Sequence, residues 1–190
     1  MKKQFWDTDL GFSLKIFGSV ILANILINIL QFIFVMIYDL IGAFLSYFIS
    51  IGMGTMVYVT CIYSTAWQKG FRDLGLVSRN LTVYKSTRGL YCGLIASIPG
   101  VLLYVFLVIA GLFAPSVFDL AKGLFMFYHP YPFSLISDLI AAFDYAYLLC
   151  IIFLLPLPFI TWLGYKLGHK NVLITKVMMY SHKKEEKLKK

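Results

Sequence analysis

The chain has 190 residues, of which 60% are hydrophobic and only 14% charged, where soluble domains carry about 25% charged residues. A water-soluble fold of this length cannot cover 17 Phe, 13 Tyr and its long uncharged runs with polar surface, which excludes an ordinary soluble domain. The formal charge of +8 comes from 17 Lys and Arg, only three of them Arg, against nine acids; such point charges suit lipid headgroups better than base-reading forks, so nucleic acid is not an expected partner.

The first apolar run, about 14–36, is long enough to cross the ~30 Å hydrocarbon layer as a helix. Asp7 and Asp9 precede it and no small-residue cleavage site closes it, so it reads as an uncleaved anchor. After a turn at Tyr38-Asp39-Leu40 a second span covers about 41–66, with Trp67 at the interface. The short connection predicts an antiparallel hairpin. Gln68 to Thr87, with Lys69, Arg72, Arg79 and Lys85 against the single acid Asp73, reads as a loop outside the hydrocarbon.

A third span, about 89–114, carries Pro99, which removes a helix hydrogen bond and predicts a kink. From 115 to 143 short apolar pieces are broken by Asp119, Lys122, His129-Pro130, Pro132 and Asp138. Their density of rings predicts an interfacial segment on the extracellular side. The rival reading is a re-entrant hairpin. A fourth span, about 145–165, holds Pro156 and Pro158 and is expected to be bent, ahead of a basic tail, 166–190.

With four spans, the amino terminus, the 68–88 connection and the tail share one side and hold 16 of the 17 Lys and Arg. The positive-inside rule puts both termini in the cytoplasm. The expected fold is therefore an all-α integral membrane protein, a bundle of four transmembrane helices in a single domain, with an interfacial segment between helices three and four.

Gly42, Ser46, Ser50 and Gly54 repeat at i+4, and Gly89, Gly93 and Ser97 do the same. Small-residue stripes let helices approach closely, either within the bundle or against a partner. Asn24, Asn28 and Gln31 put three amides on one face at mid-membrane depth, where each must find a partner. Interhelical bonding is the first reading and a polar track for a solute the second. Pro99, Pro156 and Pro158 free backbone carbonyls, as the broken helices of transporters do. Lys69, Arg72 and Arg88 are candidate cytoplasmic contacts to lipid or to a partner, and Arg72 or Arg88 is placed to pair with Asp73.

Catalytic chemistry has thin support. His129, His169 and His182 form no HExxH pattern, no phosphate loop is present, and Asp138 and Asp144 lie about 240° apart on a helix. Cys61, Cys92 and Cys150 are odd in number and scattered, without a CxxC motif. No catalytic residue, metal ligand or cofactor is expected.

The order Trp67, Gly70, Asp73, then Arg88-Gly89, Gly93, Ile98-Pro99, and finally Gly164-Tyr165-Lys166-Leu167-Gly168 resembles small uncharacterised polytopic membrane proteins of low-GC Gram-positive bacteria, from the second helix onward. The resemblance implies a multi-pass protein of a bacterial cell membrane and supplies no activity. The first function class is a non-catalytic accessory or scaffold subunit. Its expected partners are anionic lipid on the cytoplasmic side and another membrane protein or a second copy of the chain. The alternative is a small-solute transporter or substrate-binding subunit, and a membrane enzyme ranks last.

Overall fold

The computed structural model describes residues 8–36, 43–129 and 146–172, and the regular elements among them are helices. Helix α1 (Asp9–Met36) starts at Thr8, whose hydroxyl accepts the Gly11 amide at 3.1 Å. That N-cap satisfies one of the donors a helix start leaves orphaned. Phe12, Ile16, Val20, Ala23 and Ile27, spaced three or four apart, form its buried seam. Leu14, Ile21, Leu22, Ile25 and Ile29 stay exposed, an apolar face suited to lipid.

Helix α2 (Ala43–Val77) meets that seam with Tyr58, Ile62 and Ala66, and the Ser19 and Thr65 hydroxyls bridge the two helices at 2.7 Å. Its 35 residues extend about 52 Å at 1.5 Å per residue, well beyond the hydrocarbon layer. The expected loop from Gln68 is thus corrected over 68–77, which continues the helix. Lys69 and Asp73 pair at i, i+4, and Gly70 seats the turn against another helix. The helix closes where Asn80 takes φ 57° and Leu81 donates its amide to the Leu76 carbonyl at 3.0 Å, a Schellman ending.

Helices α3 (Arg88–Ala96) and α4 (Ile98–Phe113) meet at a 46° bend. The expected kink has its expected cause, because Pro99 brings no amide to the Ile95 carbonyl. Ser97 closes the end of α3. Its amide reaches Gly93 O at 3.0 Å and Leu94 O at 3.1 Å, and its hydroxyl donates to Gly93 O at 2.8 Å.

Within the interfacial segment expected at 115–143, residues 115–128 form helix α5 (Pro115–Tyr128). It doubles back along α4, with Ala121 and Phe125 packed on Leu107 and Ala110, and ends beside Gly100. The remainder of that segment, 130–143, lies outside the described residues, as do the turn at Tyr38 and the carboxyl tail beyond Val172.

A nine-residue 3-10 helix, Ala146–Leu154, leads into α6 (Pro156–His169). The break falls at Leu155, directly ahead of the two prolines that the sequence marks. Tyr147, Cys150 and Phe153 of the 3-10 helix face the α4–α5 core, and α6 packs between α2 and α3. The contacts there are made by glycines. A methyl group on Gly70 would overlap the Tyr165 carbonyl, and one on Gly168 would overlap the Trp67 carbonyl. One on Gly93 would stand 2.8 Å from Pro158 Cα.

Three stretches, Asp9–Phe34, Phe48–Val77 and Tyr147–His169, are long and apolar enough to cross a membrane, and α3 with α4 makes a fourth if the bent pair is one span. Gly168→Val is expected to lower stability by about 1–3 kcal/mol, the usual cost of overpacking. Gly52→Ala, where a methyl meets nothing within 4 Å, is expected to stabilise by up to about 1 kcal/mol through helix propensity. Thermal unfolding in mild detergent compares the two.

Candidate functional site

A cluster of charged groups lies at one end of the bundle, around Asp73. Its carboxylate is 2% exposed, a position where an uncompensated charge is strongly unfavourable. Arg88 Nη1 donates to Oδ2 at 2.7 Å, the Tyr165 hydroxyl donates to the same oxygen at 2.9 Å, and Lys69 Nζ stands 3.1 Å from Oδ1. Arg88 also reaches outward, with Nε 2.6 Å from Oδ1 of Asp9, which is 56% exposed. Two acids and two bases from α1, α2 and α3, with a tyrosine from α6, thus meet with no net charge.

Each partner is delivered by local structure. Lys69 lies one turn before Asp73 on α2, so their side chains share a face. Arg88 is the first residue of α3, directly after the connecting loop. Gly70 and Gly89 lack the side chains that would hold α6 away: a Cβ on Gly89 would stand 2.7 Å from Tyr165 Cβ. That close approach carries the Tyr165 ring inward to the carboxylate.

Aromatic packing closes the cluster from outside. Tyr84, on the loop between α2 and α3, stacks on His169 with centroids 3.8 Å apart and on Tyr165 at 6.3 Å. Trp67 Nε1 donates to the Val172 carbonyl at 2.9 Å, and its ring stacks on Phe71 at 5.3 Å. Asn171 takes φ 52° as α6 ends. Lys166 lies 4.7 Å over the Trp162 ring, a cation–π contact.

The other residues singled out from sequence fall in three places. Asn24 Nδ2 donates to the Tyr128 carbonyl, tying α1 to the end of α5. Asn28 Nδ2 donates to the Asn24 carbonyl of its own helix at 2.8 Å, and Gln31 is half-buried. Gly89, Gly93 and Ser97 pack within the chain, the glycines against α6. On α2, Gly54 is buried and Ser50 half-buried; the side chain of Ser46 and all of Gly42 lie outside the described residues.

Of the three basic residues marked for outside contacts, Lys69 and Arg88 are turned inward onto Asp73, and Arg72 is exposed. Four residues were given no site role from sequence. Gly164 and Gly168, four apart, are a further small-residue pair. Tyr165 between them carried no signal of its own. His129, buried with Nε2 unpartnered and only 3.0 Å from where a Gly100 Cβ would stand, was hidden because its environment depends on the α5 fold-back. Among the described residues no three His, Cys, Asp or Glu are grouped to hold a metal.

Comparison with protein-family models, with curated proteins and with solved structures gives no match. The reading of function therefore rests on this geometry. Asp73→Ala, which strands Lys69 and Arg88 together, is expected to destabilise by about 3–5 kcal/mol. Asp9→Ala, which removes only the solvent-facing end of the cluster, is expected to lose under about 1 kcal/mol. Unfolding midpoints measured side by side check the difference.

Proposed function

We propose that this chain is a non-catalytic, multi-pass subunit of a bacterial cell membrane, an accessory or scaffold component that holds another membrane protein. The observation that supports this reading is where its polar groups go. Asn24, Asn28, Lys69, Asp73 and Arg88 all bond within the chain, and Asn24, Asp73 and Arg88 fasten one helix to another. What faces outward is apolar, including Leu22 and Ile29 of α1 and Leu102, Ile109 and Phe113 of α4. A frame fastened inside and apolar outside suits docking to another membrane protein.

In this reading four segments span the bilayer, α3 and α4 together forming the third. Asp9, Asp73, Arg88 and Tyr165 meet at one end, so the amino-terminal helix start, the 68–88 connection and the last helix end share a side. By sequence these segments and the ends that adjoin them hold 16 of the 17 basic residues, and in this reading the positive-inside rule makes their side cytoplasmic.

A small-solute transporter is the second reading, favoured by one observation. Asn24 Oδ1, the Tyr128 hydroxyl and His129 Nε2 are buried without hydrogen-bond partners, close to the α3–α4 break, and broken helices are where transporters bind their cargo.

Extraction in mild detergent followed by native mass spectrometry is expected to recover a stoichiometric membrane-protein partner. Recovery of the lone chain, stabilised in a solute screen by the ~2.7 kcal/mol that a ligand at a hundredfold its Kd contributes, would instead establish the second reading. Lys85→Cys is expected to resist a membrane-impermeant thiol reagent applied to intact cells, scored on a background with Cys61, Cys92 and Cys150 replaced by Ser. Labelling from outside overturns the orientation.

A further inference from the structure

Where the middle of α1, the α3–α4 break and the end of α5 meet, the bundle encloses polar atoms that its own bonding leaves over. Asn24 is 6% exposed and His129 7%, and Asn24 Oδ1, the Tyr128 hydroxyl and His129 Nε2 are sealed from water without a hydrogen-bond partner. Asn24 follows Asp9 by fifteen residues, about 22 Å along the helix, so in the four-span reading the junction lies well inside the hydrocarbon. A polar atom enclosed there forfeits its hydration and gains nothing in exchange, since lipid supplies no substitute.

Apolar contact closes this junction. Gly100, one residue after Pro99, admits the end of α5: a Cβ there would stand 3.0 Å from His129 Nε2, 3.1 Å from Tyr128 Cε1 and 3.2 Å from Leu154 Cδ2 of the 3-10 helix. The His129 ring tilts against Phe125 at 4.8 Å and meets the Tyr128 ring edge-on at 5.0 Å. The Asn24 amide is the polar fastening, donating to the Tyr128 carbonyl. A carbonyl only accepts, so Nδ2 must face it and Oδ1 is left over. Further back in α5 the anchorage is apolar and complete, with Ala121 and Phe125 fully buried against Leu107 and Ala110. The last turn differs: it runs out at His129, whose backbone has left helical geometry at φ −119°, ψ 63°.

We infer that the last turn of α5 is a movable plug. With Phe125 as the fixed point, Tyr128 and His129 swing off Gly100 and admit water to Asn24 Oδ1, the Tyr128 hydroxyl and His129 Nε2. Apolar packing favours the closed arrangement and the three polar atoms favour the open one, so opposed demands meet at one place. The inference starts from the observation behind the transporter reading and goes beyond it, because the opening requires neither cargo nor partner. In an accessory subunit it is a local motion beside the α3–α4 bend; in a transporter it is the step that uncovers the site.

The test is hydrogen–deuterium exchange, read by mass spectrometry on the full chain in phosphatidylcholine nanodiscs, where an amide exchanges only when water reaches it. Amides at 126–129 are expected to exchange about tenfold faster than those at 107–110 in the α4–α5 core. Tyr128→Phe removes one unpartnered hydroxyl and keeps the ring on Gly100, and is expected to slow exchange at 126–129 roughly five- to tenfold. Gly100→Ala, which pushes Tyr128 and His129 outward, is expected to speed it. Gly52→Ala, on the exposed face of α2 and stabilising only through helix propensity, is expected to leave it unchanged. Amides at 126–129 as slow as those at 107–110 overturn the plug, as does a Tyr128→Phe variant that exchanges as fast as the unaltered protein or faster. Equal slowing by Gly52→Ala also overturns it, since exchange would then follow global unfolding. If Gly100→Ala fails to fold, Tyr128→Phe still decides. Native mass spectrometry of the same preparation reads the function separately: a retained partner or a lone chain leaves the exchange result standing, and a protected α5 end leaves the partner reading intact.

Discussion

A carboxylate enclosed among apolar helices stays ionised only if cations are brought to it, and Asp73 imposes that demand on the whole near end of this protein. Lys69 comes from the same helix, one turn away, which requires α2 to remain helical well past its interfacial tryptophan. Arg88 comes from across the connection, which sets where α3 begins. Tyr165 supplies a neutral donor from α6 and so fixes the rotation of that helix about its axis. Asp9 holds the outer edge of Arg88 and draws in the start of α1. One buried charge thus specifies the register of four helices, a use of buried ionic groups that concerns uniqueness of arrangement more than net stability.

The glycines are the steric counterpart of that electrostatic demand. In a bilayer, apolar side chains gain little by leaving lipid for one another, and close backbone approach becomes a principal source of attraction between helices. Gly70 and Gly168 bring α2 and α6 nearly into backbone contact, while Gly89 and Gly93 do the same for α3 and α6. Without that proximity the Tyr165 hydroxyl would not reach Asp73.

What could be read from sequence was what depends on neighbours along the chain. The apolar runs located three stretches fit to span and a bent fourth, and Pro99 and Pro156 marked the breaks, because a missing amide acts on the residue four positions before it. The end of α2 was misread for a physical reason: Gln68 to Val77 is polar enough to leave the hydrocarbon, but leaving the hydrocarbon does not end a helix. No proline intervenes before Asn80, and Gly70 is a point of close contact between helices. The return of α5 along α4 was harder to read, since its support comes from Leu107 and Ala110 of another helix. Hence the sequence placed Asn24 on a polar face without revealing that the Tyr128 carbonyl, more than a hundred positions away, would accept its proton. The basic residues were recognised as a group, but which of them face inward depends on the position of Asp73 within the fold.

The 3-10 helix before α6 winds three residues to the turn, so side chains three apart stack in one file. Tyr147, Cys150 and Phe153 occupy that file and fit the groove between α4 and α5, while Leu148, Leu149, Ile151 and Ile152 are left outside. Rewinding the stretch at 3.6 residues per turn would swing each successive member of the file about 60° around the axis, so that Phe153 would point away from a groove still holding Tyr147. The winding and the fit are therefore one degree of freedom. Slackening this segment towards the ordinary pitch requires unseating it from α4 and α5, and unseating it removes the contacts that reward the tighter coil.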